Sequence, residues 1–587
     1  MYMNSAAHQQ LELLYGPTTA ASVMERVMAL LNLWRPLLTP RQPNQRRTLD
    51  LTQRDAMLIT YADQVSKAGE PPLRVLAEFC ARYLKDTISS VHLLPFYPWS
   101  SDDGFSVKDF FAVEPNYGTW DDIARLDATF DLMFDGVFNH VSAQSEWFQG
   151  FLADDPRYRD FFVSVVGNPD LSQVVRPRVL PLLTEFKTTI GTVKVWTTFS
   201  ADQVDLNFKN PEVLLRVLEA LLFYVTKGAR FIRLDAIAFL WKEIGTSCLH
   251  LSQTHQIIQF LRAALDEAAP HVLLITETNV PHADNLSYFG NGTNEAQLVY
   301  NFALPPLVLH SFAAGSAEKL TCWARSLALP SEQVTFFNFL ASHDGIGLNP
   351  ARGILSEAEI EALAKRTLEH GGFISYKATS EGAQIPYELN INYLDALSNP
   401  ADNESPEQAT RKALTAHAIL LSLQGMPGIY FHSLFGSRGD RAGAETSGIP
   451  RRINRQKLDR TRLEAELSDA GSLRARIFAG QRELLRIRQH HAAFAPAAKQ
   501  QVLQLDTRVF AVLRENGDGT DAMLCLHNLS HDTVPVHLEE MLLQQPQWTC
   551  VWGRDQSSIT DRHIELGPYE TAWLNAGLVL NQSPRAT

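Results

Sequence analysis

Apolar positions in the middle of the chain alternate between two rhythms. From Asn210 and Pro211 they recur at helical spacing through Tyr224 and stop at Gly228. This predicts a helix capped by Asn210, opened by a proline at its first position and closed by glycine. A short strand follows at Phe231–Asp235 (FIRLD). The unit then repeats, with a helix about Gln256–Glu267, a stop at Pro270 and an apolar run at Val272–Glu277 (VLLITE). Apolar strands of the same kind, each ending in polar residues, stand at Leu58–Gln64, Val91–Tyr97, Leu132–Asn139, Leu298–Ala303, Thr335–Leu340 and Met426–His432.

Eight largely apolar strands separated by helices predict a parallel sheet covered on its outside, hence an α/β fold of the (β/α)8 TIM barrel type. In such a barrel the site lies at the carboxyl ends of the strands. Two intervals are too long for simple loops: Val141–Asp205 after the third strand, and His343–Gln408 after the seventh, its insertion proper running about 345–408. Their Pro, Gly and aromatic content reads as ordered insertions roofing the barrel mouth. From Lys499 the texture becomes short alternating segments such as Val509–Leu513 and Met523–Leu526, with a turn at Asn516–Gly519, which predicts a C-terminal antiparallel β domain over 499–587. Residues 1–52 read as a helical extension and 53–498 as the barrel with its insertions.

Composition narrows the function classes. The 587 residues are 45% hydrophobic and 20% charged, an ordinary globular balance, and the net charge of −13 would repel a phosphate backbone, which argues against nucleic acid as a partner. No stretch approaches the ~18 apolar residues of a membrane span, and Met1–Gln10 lacks a secretion pattern, so a cytoplasmic location is expected. Five dispersed cysteines without a CxxC pair suggest reduced thiols rather than disulfides or a zinc site. No interface patch is locatable from pattern alone, and no oligomeric state is assigned.

The chemistry gathers at strand ends. Arg233 and Asp235 are two apart, so on a strand both point into the barrel mouth, where the cation favours an ionised, nucleophilic carboxylate. Glu277 ends the next strand after an apolar run, a setting that favours the protonated form and a general acid. A charged and a protonated carboxyl on adjacent strands make the pair that retaining glycoside chemistry uses. Singly, an Asp at a strand end is most often a helix cap and a buried Glu an ion-pair partner. Two further strand ends, DGVFNH (Asp135–His140) and SHDG (Ser342–Gly345), repeat the theme.

The segments DGVFNH, GARFIRLDA (Gly228–Ala236), ITETN (Ile275–Asn279) and ASHDG (Ala341–Gly345), in this order, resemble the four signature regions of the α-amylase superfamily of glycoside hydrolases. The resemblance implies Asp235 as nucleophile, Glu277 as acid/base and Asp344 as transition-state stabiliser, with Arg233 orienting the nucleophile and His140 and His343 binding sugar hydroxyls. Within the superfamily, DDGF (Asp102–Phe105), RPR (Arg176–Arg178), VWTTFSADQVDLN (Val195–Asn207) and INR (Ile453–Arg455) are similar to sucrose phosphorylases and their relatives. That likeness implies Asp102 and Arg455 at the far edge of a terminal glucose, an aromatic platform at Phe105 or Phe138, and phosphate contacts from Arg178 and Tyr387. The relatives carry Gln where this chain has Glu388, a carboxylate that would repel phosphate unless the loop is arranged differently or Glu388 faces the acceptor.

The stretch Gly425–Lys457, with HSLFGSRGD and RRINRQK, looks more like glucosylglycerate phosphorylases than sucrose enzymes. Glycerate bears a carboxylate, for which Arg438 or Arg441 is a candidate partner. The expected reaction is a retaining transfer of a glucosyl unit from a small α-glucoside, with glucosylglycerate favoured, to inorganic phosphate through a glucosyl-enzyme, giving α-glucose 1-phosphate. A sucrose phosphorylase or another small-glucoside phosphorylase, a hydrolase or transglucosidase of the same fold, and an inactive binding scaffold are the alternatives. No cofactor or metal is expected: Asn139 resembles a calcium-ligand position of amylases, but the matching acidic loop is not recognisable.

Overall fold

The computed structural model describes residues 3–38, 49–177, 180–378, 384–402, 404–538, 548–553, 559–560 and 563–576. Eight parallel strands close on themselves in chain order: β1 (Met57–Thr60), β2 (Ser90–Leu93), β3 (Asp131–Gly136), β4 (Ala229–Leu234), β5 (Leu273–Thr276), β6 (Leu298–Tyr300), β7 (Thr335–Phe339) and β8 (Met426–Tyr430), which pairs with β1. All eight coincide with runs expected from the sequence. Several of those runs continue three or four residues beyond the hydrogen-bonded strand. The reason is burial: Tyr61, Leu94, Phe96, Tyr97, Val137 and Phe138 belong to loops, yet all are buried because the roof of the barrel is itself packed.

Local rules set the helices between the strands. Pro211–Thr226 begins where the Asn210 side chain accepts the Glu212 N–H and ends before Gly228, whose φ of 96° needs glycine. Ser252–Ala268 starts four residues before the expected Gln256. Two N-terminal helices, Met3–Tyr15 and Pro17–Trp34, lie against the barrel's outer helices, with Arg26 paired to Glu212 and the Tyr15 hydroxyl donating to Phe208 O at 3.0 Å.

The segment after β3 holds a helix, Glu146–Leu152, and a small sheet of Ser164–Val165, Leu183–Thr188 and Gly191–Trp196. The segment after β7 holds a helix, Glu357–Glu369, and a sheet of Ile346–Gly347, Phe373–Ala378 and Gln384–Asn390. Beyond Lys499 the chain forms an antiparallel five-stranded sheet and a smaller three-stranded one. A buried arginine seams this part to the barrel: Arg514 donates to Ser422 O and Ala495 O, while buried Arg488, in the helix before it, donates to Gln53 O and Asp55 O at the start of the barrel. Among the described residues no helix is long and apolar enough to cross a membrane, and the five cysteines are unpaired.

Candidate active site

The parallel register places Arg233 beside Asp135 of β3 on one side and Ile275 of β5 on the other. A buried guanidinium at this level must be neutralised. Arg233 Nη1 bonds Asp135 and reaches Asp235 Oδ1 at 2.7 Å, while its Nη2 lies 3.7 Å from Glu277 Oε2. Asp135 is fixed from behind by His92 Nε2 at 2.7 Å. Past β4, Ala236 takes a left-handed φ of 48°, and its N–H donates to Glu277 Oε2 at 3.0 Å. The strand end thus turns so that the carboxyl groups of Asp235 and Glu277 flank one guanidinium.

The sequence leads one to expect Arg233 to keep Asp235 low. It does not: burial raises the Asp235 carboxyl, Arg233 only partly opposes this, and Glu277 pushes it further up. Burial raises Glu277 as well, with Arg233 opposing and Asp344 adding to the rise. Two carboxyls raised together hold one proton between them. The charge-assisted bond at 2.7 Å favours the negative charge on Asp235, leaving the proton to Glu277, whose Arg233 contact is longer and whose other bond comes from the uncharged Ala236 N–H.

Asp344 lies across the same cavity. Burial raises its carboxyl, but Arg451, His343 and Arg455 outweigh that and hold it well below the usual range. Arg451 Nη1 is 2.6 Å from Asp344 Oδ1, and the same guanidinium grips Glu388 with both its oxygens, at 2.9 and 2.6 Å. Glu388 also accepts the Gly345 N–H at 2.9 Å. This answers the expected repulsion: Glu388 lines the cavity neutralised by an arginine.

The cavity, about 850 Å³ including its open mouth, is lined by Asp102, Phe105, His140, Asp235, Glu277, His343, Asp344, Tyr387, Glu388 and Arg451, with Phe199, Gln203, Phe239 and Phe302. Phe105 stacks face to face on His343 at 4.7 Å, and burial lowers that histidine to about 3, so it is neutral. His140 is also lowered by burial, and its Nε2 lies 2.9 Å from Phe105 O. Arg455 stands behind the wall, 2.8 Å from Asp103 and 3.5 Å from Asp102.

Three expectations need correction, and one lies beyond reach. Arg438 is not at the cavity: it bonds Asp395 Oδ1 at 2.9 Å and Ser398 O at 2.6 Å, because a half-buried loop cation takes the nearest buried carboxylate. Arg441 pairs with Glu445 of its own helix. Phe138 packs with Phe110 and Tyr224 in the core rather than on the cavity. Arg178 falls outside the described residues. Arg451 and Gln203 were missed, although Arg451 stands in the same RRINR run as Arg455.

Asn139 does face a cation, but that cation is an ammonium: buried Lys242 Nζ lies 2.7 Å from both Asn139 Oδ1 and Asp205 Oδ2. With Thr198 N also bonded to Asp205, at 2.9 Å, the place is filled by the chain itself.

Comparison with known proteins agrees with this geometry. The α-amylase family (alpha amylase, catalytic domain) matches residues 81–345. The chain is 53% identical to a glucosylglycerate phosphorylase of Allomeiothermus silvanus, over 91% of this chain and 93% of the relative. It is 51% identical to one of Spirochaeta thermophila, over 96% and 97%. Sucrose phosphorylases match at 26–30%. A crystal structure of sucrose 6F-phosphate phosphorylase from Thermoanaerobacter thermosaccharolyticum superposes with a TM-score of 0.71 at 24% identity, covering 81% of this chain and 94% of that one.

Proposed function

The chain belongs to the α-amylase family, in the branch of its glucosylglycerate phosphorylase relatives, and from that premise we propose that it is a retaining phosphorylase of 2-O-α-glucosylglycerate. The observation that carries the reading is the joint one: such relatives match at 51–53% over nine-tenths of the chain, and three carboxyls of the right kind meet at one cavity. Asp235 attacks the anomeric carbon while Glu277 passes its proton to the departing glycerate oxygen. Phosphate then attacks the glucosyl ester on the same face. Glu277, now ionised, takes the proton that the incoming phosphate oxygen releases, and α-glucose 1-phosphate leaves.

Asp344, kept ionised by Arg451, His343 and Arg455, grips ring hydroxyls more tightly as positive charge develops on the sugar, which stabilises the transition state over the ground state. Asp102, with Arg455 behind it, meets the far edge of the glucose and closes the pocket after one ring. Tyr387 belongs to the phosphate side, where the family likeness also implies a part for Arg178, and the Glu388–Arg451 pair borders the acceptor.

A panel of glucosylglycerate, sucrose, glucosylglycerol and sucrose 6′-phosphate, each incubated with and without phosphate, tests the substrate. Glucosylglycerate is expected to be consumed fastest, and only with phosphate. Equal consumption without phosphate indicates a hydrolase, and preference for sucrose indicates the other phosphorylase branch.

A further inference from the structure

The segment Trp99–Val107 carries Asp102 and Phe105 on a tight hairpin. A β-bridge joins Trp99 to Val107, and Ser100 N–H donates to Ser106 O at 3.1 Å. At its tip Asp102, Asp103 and Gly104 take φ values of 54°, 49° and 116°, three successive residues in the region that side-chain-bearing residues avoid. A Cβ on Gly104 would come within 2.5 Å of Pro95 O. A turn so disposed persists only if its surroundings fix it.

Two carboxylates that do not line the cavity supply that fixing. Asp103 is clasped by Arg452, at 2.8 and 3.3 Å, and by Arg455 at 2.8 Å; burial raises its carboxyl, but the arginines bring it down to about 2. Asp202 comes from the insertion after β3, about a hundred residues later. Its Oδ2 accepts the hydroxyls of Ser100 and Ser101 and lies 2.8 Å from Ser106 Oγ, and its Oδ1 lies 3.4 Å from Ser142 Oγ. Its main-chain oxygen accepts the Ala143 N–H at 2.8 Å. Hydroxyls from both arms of the hairpin, and from the loop after β3, therefore converge on one side chain.

We propose that Asp202 is a positioning residue for sugar recognition: through its serines it holds the Asp102–Gly104 turn so that Asp102 faces the C4 end of the glucosyl ring, and it thereby sets selectivity for terminal glucose. This rests on the reading of Asp102 given above. A group that only stabilised the fold would weaken all donors alike. A group that aims Asp102 weakens those donors whose C4 hydroxyl Asp102 reads.

The test compares full-length wild type, Asp202→Asn and Asp202→Ala with α-glucose 1-phosphate and α-galactose 1-phosphate, which differ only at C4, using glycerate as acceptor. In D202A, KM for glucose 1-phosphate is expected to rise roughly tenfold to a hundredfold, with a smaller change in kcat, and the glucose-over-galactose ratio of kcat/KM to fall with it. D202N, which keeps one carbonyl acceptor, should lie between. An unchanged ratio with both donors weakened in parallel overturns the proposal. Should D202A not fold, the double variant S100A/S101A removes two of the hydroxyl donors and is read the same way. Calorimetric affinities for glucose and galactose are measured alongside. If the wild type lacks phosphate-dependent turnover, the phosphorylase reading fails, while a lost glucose preference in D202A binding still supports the positioning role and an unaltered preference still refutes it.

Discussion

Arg451→Gln removes the cation that faces Asp344 at 2.6 Å. With charge centres ~4 Å apart and an effective dielectric of ~20, the attraction lost is ~4 kcal/mol. In the wild type, burial raises Asp344 and its basic neighbours, Arg451 first, outweigh it; without Arg451, burial is opposed only by the rest, and the carboxyl rises toward the ordinary carboxylate range. Because the ionised form is the one that stabilises the developing sugar cation, the acid limb of kcat/KM should move upward. The variant should show an extra loss of kcat/KM that sets in below about pH 5 and grows toward lower pH, beyond any wild-type loss, with no extra loss between pH 8 and pH 5.5. Glu388 loses both of its guanidinium bonds in the same variant, so R451Q/E388Q is measured in parallel to separate a buried orphan carboxylate from the effect on Asp344. Profiles of both variants that superimpose on the wild type after scaling would refute the coupling of Arg451 to Asp344.

Three shorter predictions concern the same framework. Glu277 is raised in the folded state, so its stability contribution is fully present below the unfolded pKa of about 4.3 and declines as pH rises through the folded value. Glu277→Gln should therefore melt above the wild type at pH 8, with the gap narrowing toward pH 5, while turnover is lost; a lower melting point at pH 8 contradicts the direction of the shift. Lys242→Met strands the buried Asp205 and should cost about 3–5 kcal/mol in denaturant unfolding, whereas dialysis against EDTA should leave the wild-type rate unchanged, since an ammonium fills that place. Arg438→Ala should leave KM for glycerate unaltered, because the arginine is spent on Asp395 and Ser398; a large rise in that KM would restore it to the acceptor site.

The barrel was legible because strands buried on both faces read as unbroken apolar runs, and the catalytic candidates because they stand where those runs turn polar. What pattern reads poorly is where a strand stops when the following loop is buried too, as at Tyr61 and Phe96. Pairings across long stretches of chain are also hidden: Glu388 and Arg451 are 63 residues apart, and Ser100 and Asp202 102 apart, so neither spacing nor periodicity links them. Loop arginines were the weakest ground, since charge alone cannot choose among carboxylates. Arg438 and Arg441 found partners away from the cavity, while Arg451 found two on it. The direction in which the Asp235 carboxyl shifts was hidden for a related reason: the neighbouring cation was visible in sequence, but the depth of burial that outweighs it was not.

The central claim is a covalent relay through Asp235. Wild-type enzyme mixed with glucosylglycerate in phosphate-free buffer, quenched in acid within a turnover and digested, is read by mass spectrometry of the peptides. The account predicts a hexosyl adduct on the peptide that contains Asp235, lost on a chase with phosphate as α-glucose 1-phosphate appears. An adduct on another carboxylate, or α-glucose 1-phosphate formed at full rate by an Asp235→Asn variant, would contradict it.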